Sequence, residues 1–350
     1  MTTSTASQAP PLVVRCGALG DMVLLTPLLA LLHARHGQVP EVLASGAWTP
    51  PLYAGHPHVA RVWLLGSRRR PYWSDPRQWA LVRALRAAGP RPVYVCDELA
   101  TAPLARLLAR AGFDAGDLLW VGDHRECARP HWVDRWLAFG ALDAARWPAP
   151  TAQVVARPLL MVTPAARADC AGWLAARGWD DGPLLLLHAG NKRTQKRGGL
   201  RGRLGDSKAW PDAHWQALIT ALRARLPTAR VLLTGTPREQ RWLTHLARMA
   251  GGRVHAIGDQ LPLPRLLALQ ARAKAMVSVD TGPAHSAAAL GCPLLVLYGA
   301  ASAAAWLPRA ADGAAVHWLG GADAGRSRLT DTRPDEVIAA WNALPLRKPT

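Results

Sequence analysis

The sequence predicts an α/β protein made of two Rossmann-like domains, on three observations. Short apolar strands alternate with helical periodicities along the chain, the pattern of parallel sheets covered by helices. The 350 residues exceed the roughly 250–300 at which a single core stops growing. Each half also opens as strand, polar loop and helix, once from Leu12 and again from Leu184.

Leu12 to Arg15 reads as the first strand, Cys16 to Gly20 as a loop, and Asp21 as the opening of a Leu-rich helix. Pro27 fits that helix if Thr26 is an N-cap and Pro27 the first helical residue; otherwise it kinks the helix. Glu41-Val42-Leu43, Arg61 to Leu64 and Val93 to Cys96 read as further strands, the last preceded by an Arg-rich helix over Gln78 to Ala88. Four prolines between Trp147 and Pro164 mark an interdomain linker. Leu184 to His188 is a continuous apolar strand, as a buried parallel sheet requires. Trp215, Leu218, Ile219 and Leu222 fall at helical spacing. Arg230 to Thr234 is the next strand, and the helix after it carries Trp242, Leu243, Leu246 and Met249 inward. Ala275 to Val279 and Leu294 to Tyr298 follow as strands, and Asp335 to Leu344 as a closing helix. The expected division is a loose tail at 1–11, domains at 12–165 and 166–330, and a closing helix and tail at 331–350.

The formal charge of +18 suits a polyanionic partner, whether nucleic acid, an anionic membrane face or a phosphorylated substrate. A bland source competes: 16 Trp against 2 Phe, with abundant Ala and Arg, resembles the codon bias of a GC-rich genome. Five scattered cysteines without a C-x-x-C pair argue against a disulfide framework or a zinc site and fit a reducing compartment. Residues 1–11 lack the apolar core of a signal peptide. Met22 to Leu32 is too short to span a bilayer, and Ala287 to Leu307 is broken by Gly291-Cys292-Pro293 and Gly299, so no membrane span is expected.

The most informative segment is Val277 to Pro293: strand, polar turn, short helix and glycine stop. Asp280 ends the strand where open parallel sheets place their ligand crevice. Thr281, Gly282 and His285 follow at a helix start, where unpaired amides and the helix dipole favour a phosphate. The turn Gly17 to Asp21 lacks the G-x-G-x-x-G fingerprint, so a dinucleotide site there is unsupported. Gly17 and Gly20 permit close backbone approach by a ligand. Asp21 is either a first-turn acid complementing the dipole or a carboxylate facing the cleft and able to take a proton. Lys192 to Lys208 holds seven basic residues and one acid, Asp206, among four glycines. It is either a solvated loop, mobile when empty, or a phosphate grip, with Lys208 placed to reach an anion. Glu239, in the first turn of its helix, either complements the dipole or meets a ribose. His188 is ambiguous, and His131, Asp134 and Trp136 support no assignment. No carboxylate pair or His cluster has metal-ligand spacing, and no nucleic-acid motif appears.

The order Arg15-x-x-Ala18-Leu19-Gly20-Asp21, Thr26-Pro27, His56-Pro57, Lys208-x-Trp210-Pro211, Gly235-x-x-x-Glu239 and Asp280-Thr281-Gly282-Pro283-x-His285 with its Ala-rich helix resembles glycosyltransferase family 9, the lipopolysaccharide heptosyltransferases. The likeness is clearest over residues 12–60 and 184–300. It implies a GT-B fold, two Rossmann-like domains with parallel sheets facing across a cleft. It also implies an inverting transfer, without a cofactor, from an ADP-sugar, typically ADP-heptose, to a hydroxyl of an anionic core glycolipid. Asp21 takes the place of the general base. Lys208 takes that of a diphosphate or sugar contact, Glu239 that of the nucleoside contact, and Asp280, Thr281, Gly282 and His285 that of the donor segment. The chain departs from the family in the basic insertion between Asn191 and Asp206. Asn191 and Lys192 join the donor-binding candidates, but which residues grip the phosphates stays open there. A cytoplasmic location follows, with room for peripheral contact with the inner membrane face. Two alternatives remain: another GT-B enzyme using a UDP-sugar, transferase or epimerase, and a non-enzymatic polyanion binder.

Overall fold

The computed structural model describes residues 9–67, 75–98, 101–311 and 313–348. The elements of the first half are β1 (Leu12–Val14), α1 (Leu19–Leu24), α2 (Thr26–His36), β2 (Glu41–Ser45), α3 (Thr49–Leu52), β3 (Arg61–Leu65), α4 (Pro76–Ala87), β4 (Val93–Val95), α5 (Thr101–Arg110), β5 (Leu118–Trp120) and α6 (Trp132–Gly140). The second half holds α7 (Pro164–Ala175), β6 (Leu184–His188), α8 (Lys192–Arg197), α9 (Gly199–Arg203), α10 (Asp212–Arg225), β7 (Arg230–Leu233), α11 (Gln240–Ala250), β8 (Val254–Ala256), α12 (Leu263–Arg272), β9 (Ala275–Val279), α13 (Gly282–Ala289), β10 (Leu294–Tyr298), α14 (Ala303–Trp306), β11 (Val316–Gly320) and α15 (Pro334–Ala343).

The chain divides into two compact units at Leu159/Leu160, inside the proline-bearing stretch and six residues before the expected boundary. Residues 1–8 of the expected tail lie outside the described residues. The closing helix belongs to the second unit: Val337 and Trp341 of α15 sit in its core beside Trp215 and Leu222 of α10. All five cysteines are buried, and none is in a disulfide. Among the described residues no helix is long and apolar enough to cross a membrane.

Each unit is built on one sheet in which every strand pairing is parallel. The first has the order β3-β2-β1-β4-β5 and the second β11-β10-β9-β6-β7-β8. The chain moves outward from a central strand to one edge, then returns to the centre and fills the other side. This doubly wound order creates a switch point between β1 and β4 in the first sheet and between β6 and β9 in the second. At such a point successive loops diverge and leave a crevice beyond the strand ends. The central strands are apolar on both faces because helices cover both: Leu12–Val14, Leu184–His188 and Ala275–Val279 are buried throughout.

Two local expectations change. Asp21 is the third residue of α1, which begins at Leu19, because its carboxylate reaches back to the amide of the capping residue Ala18. Thr26 is the first residue of α2, not its cap. Its hydroxyl donates to the Val23 carbonyl, and Pro27 occupies a first-turn position that needs no amide partner. The basic run after β6 is not an open loop but two short packed helices, α8 and α9. A Cβ on Gly199 would lie 2.9 Å from Trp242 Cγ, and one on Gly202 would lie 2.6 Å from Thr194 Cα. Those glycines therefore serve close packing, while Gly198 and Gly205 supply the left-handed turns at φ 81° and 66°.

Candidate functional site

The sequence-derived candidates fall beyond the strand ends of the two sheets, most of them at the switch points. In the first, the loop after β1 meets the end of β4. The Cys16 amide donates to both oxygens of the buried Asp97, each at 3.1 Å. Arg15 lies across this junction, donating to the Cys96 carbonyl at 2.6 Å and to Asp21 Oδ1 at 3.0 Å. Its guanidinium lies 3.5 Å from Asp97 Oδ1 and 5.3 Å from the centre of the Trp136 ring, a cation–π contact that orients it. The second oxygen of Asp21 accepts from the Ala18 amide at 2.6 Å.

Asp21 is thus an anchored carboxylate with a charged partner on one oxygen and a backbone donor on the other. Gly17 is what permits this. A Cβ there would lie 2.5 Å from Asp21 Cβ and 2.9 Å from its Oδ2, so only glycine lets the loop close over the carboxylate. Gly20 is buried in the first turn of α1. Arg15, Asp97 and Trp136 gained no role from spacing alone. The available signal was Asp97, an acid one residue past the apolar strand at the switch point.

In the second unit, Asp280 follows β9 and is 8% exposed. The Lys208 ammonium donates to its Oδ2 and to its backbone carbonyl, both at 2.6 Å. Thr281 precedes α13 without capping it. Its hydroxyl donates to the Val279 carbonyl at 3.2 Å and does not cap the helix; Pro283 has no N–H and the Ala284 amide donates to the Thr281 carbonyl at 3.0 Å, so the Gly282 amide is the first-turn donor left to a ligand. Gly282 and Pro283 open the helix, and His285 is buried in its first turn. A cation, an extended turn and a helix N-terminus therefore meet at one strand end, which is the chemistry of an anion seat.

Lys208 is held there by its own backbone. The Asp206 carboxylate accepts from the Lys208 amide at 3.2 Å and from Asn191 Nδ2 at 2.6 Å. The Ser207 carbonyl accepts from the Leu329 amide at 2.7 Å, and a Cβ on Gly299 would collide with that carbonyl. Asn191, buried at the end of β6, also caps α8 by accepting from the Arg193 amide at 2.8 Å. Thr194 of α8 then bonds to Glu239 Oε1. Glu239 has no exposed surface. Its Oε2 accepts from the amide and hydroxyl of Thr236, at 2.9 and 2.8 Å, and it caps α11 rather than sitting within it. A Cβ on Gly190 would lie 2.8 Å from Glu239 Cδ.

One polar network thus runs Lys208–Asp206–Asn191–Thr194–Glu239–Thr236 over the ends of β6 and β7. Sequence reasoning missed Thr194 and Thr236, the first hidden in a basic run and the second in a turn. Lys192 is exposed at the start of α8, apart from this network. Arg193 and Arg203 are structural: Arg193 donates to the Leu204 and Gly205 carbonyls, and Arg203 pairs with Asp212 at 2.6 Å. His188, at the end of β6, contacts Thr234 Oγ1 at 2.9 Å, and its burial favours the neutral ring.

Residues 201–320 match the sequence profile described as Glycosyltransferase family 9 (heptosyltransferase). Over 108 residues the chain is 38% identical to lipopolysaccharide heptosyltransferase 1 of Salmonella typhimurium, covering 29% of this chain and 31% of that one. Lipopolysaccharide heptosyltransferase 3 of Escherichia coli is 36% identical over 105 residues, with 29% and 30% covered. The matched stretch is therefore less than a third of these relatives' length.

Solved structures cover far more. The ADP-heptose lipopolysaccharide heptosyltransferase II of E. coli superposes with a TM-score of 0.70 at 21% identity over 95% of this chain and 98% of that one. A family 9 glycosyltransferase from Veillonella parvula gives 0.72 at 15% identity, with 96% and 97% covered. An E. coli heptosyltransferase solved with ADP gives 0.67 at 22%, with 95% and 99% covered. The chain resembles glycosyltransferase family 9 in sequence over residues 201–320 of its second unit, and it has the two-unit GT-B fold of these structures.

Proposed function

We propose that this chain is an inverting glycosyltransferase that moves a sugar, heptose on the strength of its relatives, from an ADP-sugar to a hydroxyl of a lipopolysaccharide core or related glycan. The observation that carries the reading is the Lys208–Asp280 pair beside the uncapped start of α13, at the second switch point and within the stretch that matches the family profile. In this reading the second unit binds the donor and the first supplies the base for an anionic glycolipid acceptor. As the glycosidic bond breaks, charge builds on the departing diphosphate. Lys208 and the amides of Thr281 and Gly282 meet it as preorganised donors, with no resident cofactor in the scheme. His285 and Asp280 shape the same seat, and Asn191 holds Asp206, which in turn holds the Lys208 amide. Lys192 stands at the entrance to α8.

Asp21 takes the proton of the attacking hydroxyl, a contribution of about 10²–10⁴-fold for a positioned acid or base. Arg15 and the Ala18 amide fix its orientation. Glu239 meets the ribose in this scheme only if Thr194 yields its hydrogen bond, which makes α8 part of donor recognition. The test is a calorimetric titration of the purified protein with ADP, UDP and GDP at moderate salt. Selective ADP binding supports the proposal. Selective UDP binding removes the ADP-sugar, and silence with all three refutes the donor site.

A further inference from the structure

Asp97, just past β4, is a carboxylate that the transfer scheme leaves unused. Its side chain is 2% exposed, against 18% for Asp21, so Asp21 is open to a reacting group and Asp97 is not. The two acids nevertheless share one cation. Arg15 turns its Nη2 to Asp21 Oδ1 at 3.0 Å and its Nη1 to Asp97 Oδ1 at 3.5 Å. Its Nε is buried without a hydrogen-bond partner among the described residues, so the two terminal nitrogens carry its polar contacts. The rings of Trp136 and Trp132, with centres 5.3 and 6.0 Å from the guanidinium carbon, hold that group in place.

Asp97 is itself fixed by the backbone. The Cys16 amide donates to both of its oxygens at 3.1 Å, which ties the end of β4 to the loop that carries Gly17, Ala18 and Asp21. The other titratable groups around the guanidinium are Cys96, Tyr53 and Arg135. Burial pushes the Cys96 thiol and the Tyr53 phenol well above their ordinary ranges, so neither adds a charge. Arg135 of α6 lies over the Trp132 ring and is paired with Glu98. One guanidinium therefore serves two carboxylates.

We infer that Asp97 is a positioning residue that sets how readily Asp21 takes a proton, by drawing on the Arg15 guanidinium that both acids share. A carboxylate with a cation to itself holds its negative charge firmly and is a poor base. A carboxylate whose cation is divided with a second acid accepts a proton more readily. That state lies closer to what proton abstraction from a hydroxyl near neutral pH requires. The consequence for rate rests on the reading of Asp21 as the base; the sharing of charge does not.

Carboxyl-carbon NMR of the full chain, labelled at its aspartate side chains, reads that sharing without any substrate. The Asp21 signal is the one absent from Asp21→Asn. Asp97→Asn keeps an oxygen for the Cys16 amide and leaves Arg15 to Asp21 alone. Its Asp21 titration midpoint should therefore fall below the parent's by about 0.5–1 pH unit. Arg15→Gln removes the shared cation and should raise the midpoint by about one pH unit. A midpoint that stays or rises in Asp97→Asn overturns the inference, and so does one that fails to rise in Arg15→Gln. In transfer from ADP-heptose to a core glycan acceptor, the acid limb of the pH–rate profile should move in the same two opposite directions. Loss of packing alone would lower both rates and leave the limb where it was. If Asp21→Asn transfers like the parent, the base reading falls, and the carboxyl titration still decides the sharing.

Discussion

Replacing Lys208 by Met separates its two duties. Its ammonium lies 2.6 Å from both Asp280 Oδ2 and the Asp280 carbonyl, and the two side chains are 27% and 11% exposed. At an effective dielectric near 20, the attraction at that distance is about 6 kcal/mol before desolvation is subtracted. Removing one partner of a fully buried pair costs about 3–5 kcal/mol, because the other charge is stranded. Partial exposure of Lys208 puts the expected loss at about 2–3 kcal/mol, or roughly 6–10 °C in the melting transition of a unit this size. Asp280→Asn in the same chain removes the stranded charge, so the double variant should recover most of that stability. ADP affinity should behave otherwise. Both the single and the double variant should lose about tenfold or more, since neither offers a cation to the diphosphate. Differential scanning calorimetry and ADP titration of all four proteins complete the cycle. Unchanged ADP affinity in Lys208→Met would refute the phosphate grip. A double variant no more stable than Lys208→Met would refute the coupling.

Asp21→Asn should leave ADP affinity within about twofold while transfer falls by about 10²–10⁴-fold; undiminished single-turnover transfer would remove its role as base. Gly190→Ala forces a methyl against the fully buried Glu239 carboxylate and should cost about 1–3 kcal/mol, together with nucleotide affinity. A variant that melts like the parent would show that the contact relaxes freely. His56 is buried, and burial lowers its pKa from 6.5 to about 4. Its Nδ1 accepts from the His58 amide while Nε2 meets the Leu159 carbonyl, an arrangement that requires the neutral ring. Between those values the unfolded chain binds the extra proton, so stability falls as pH drops through this window. The contribution of His56 is about 2 kcal/mol between pH 7.5 and 5. Denaturant titrations of His56→Gln at both pH values should show a correspondingly smaller loss than the parent, and an identical loss would refute the assignment.

The sequence made the central strands of both sheets legible because parallel strands covered on both faces must be apolar without interruption. Leu184–His188 and Ala275–Val279 therefore emerge with their boundaries nearly intact. Of the edge strands, β3 emerged, whereas β5, β8 and β11 did not. β8 and β11 are buried at one residue each and carry no apolar run. The basic run after β6 misled for a different reason: glycine has two uses, and only packing distinguishes them. Gly198 and Gly205 turn the chain, whereas Gly199 and Gly202 bring α9 against Trp242 and Thr194. The same limit applies to the site. Spacing brought forward Asp21, Lys208 and Asp280 because each stands near a strand end or a helix start. It was silent on Arg15, Asp97 and Thr194, whose roles exist only when two loops meet. Thr194 is the telling case, since it lies on the inserted hairpin yet bonds to Glu239, a residue that the family likeness assigns to the nucleoside. That hydrogen bond occupies the carboxylate oxygen that a nucleoside would have to reach. Thr194→Val removes the hydroxyl at constant shape and is therefore the sharpest probe of the hairpin. If α8 gates the ribose, the variant should change ADP affinity while leaving affinity for inorganic diphosphate as it was.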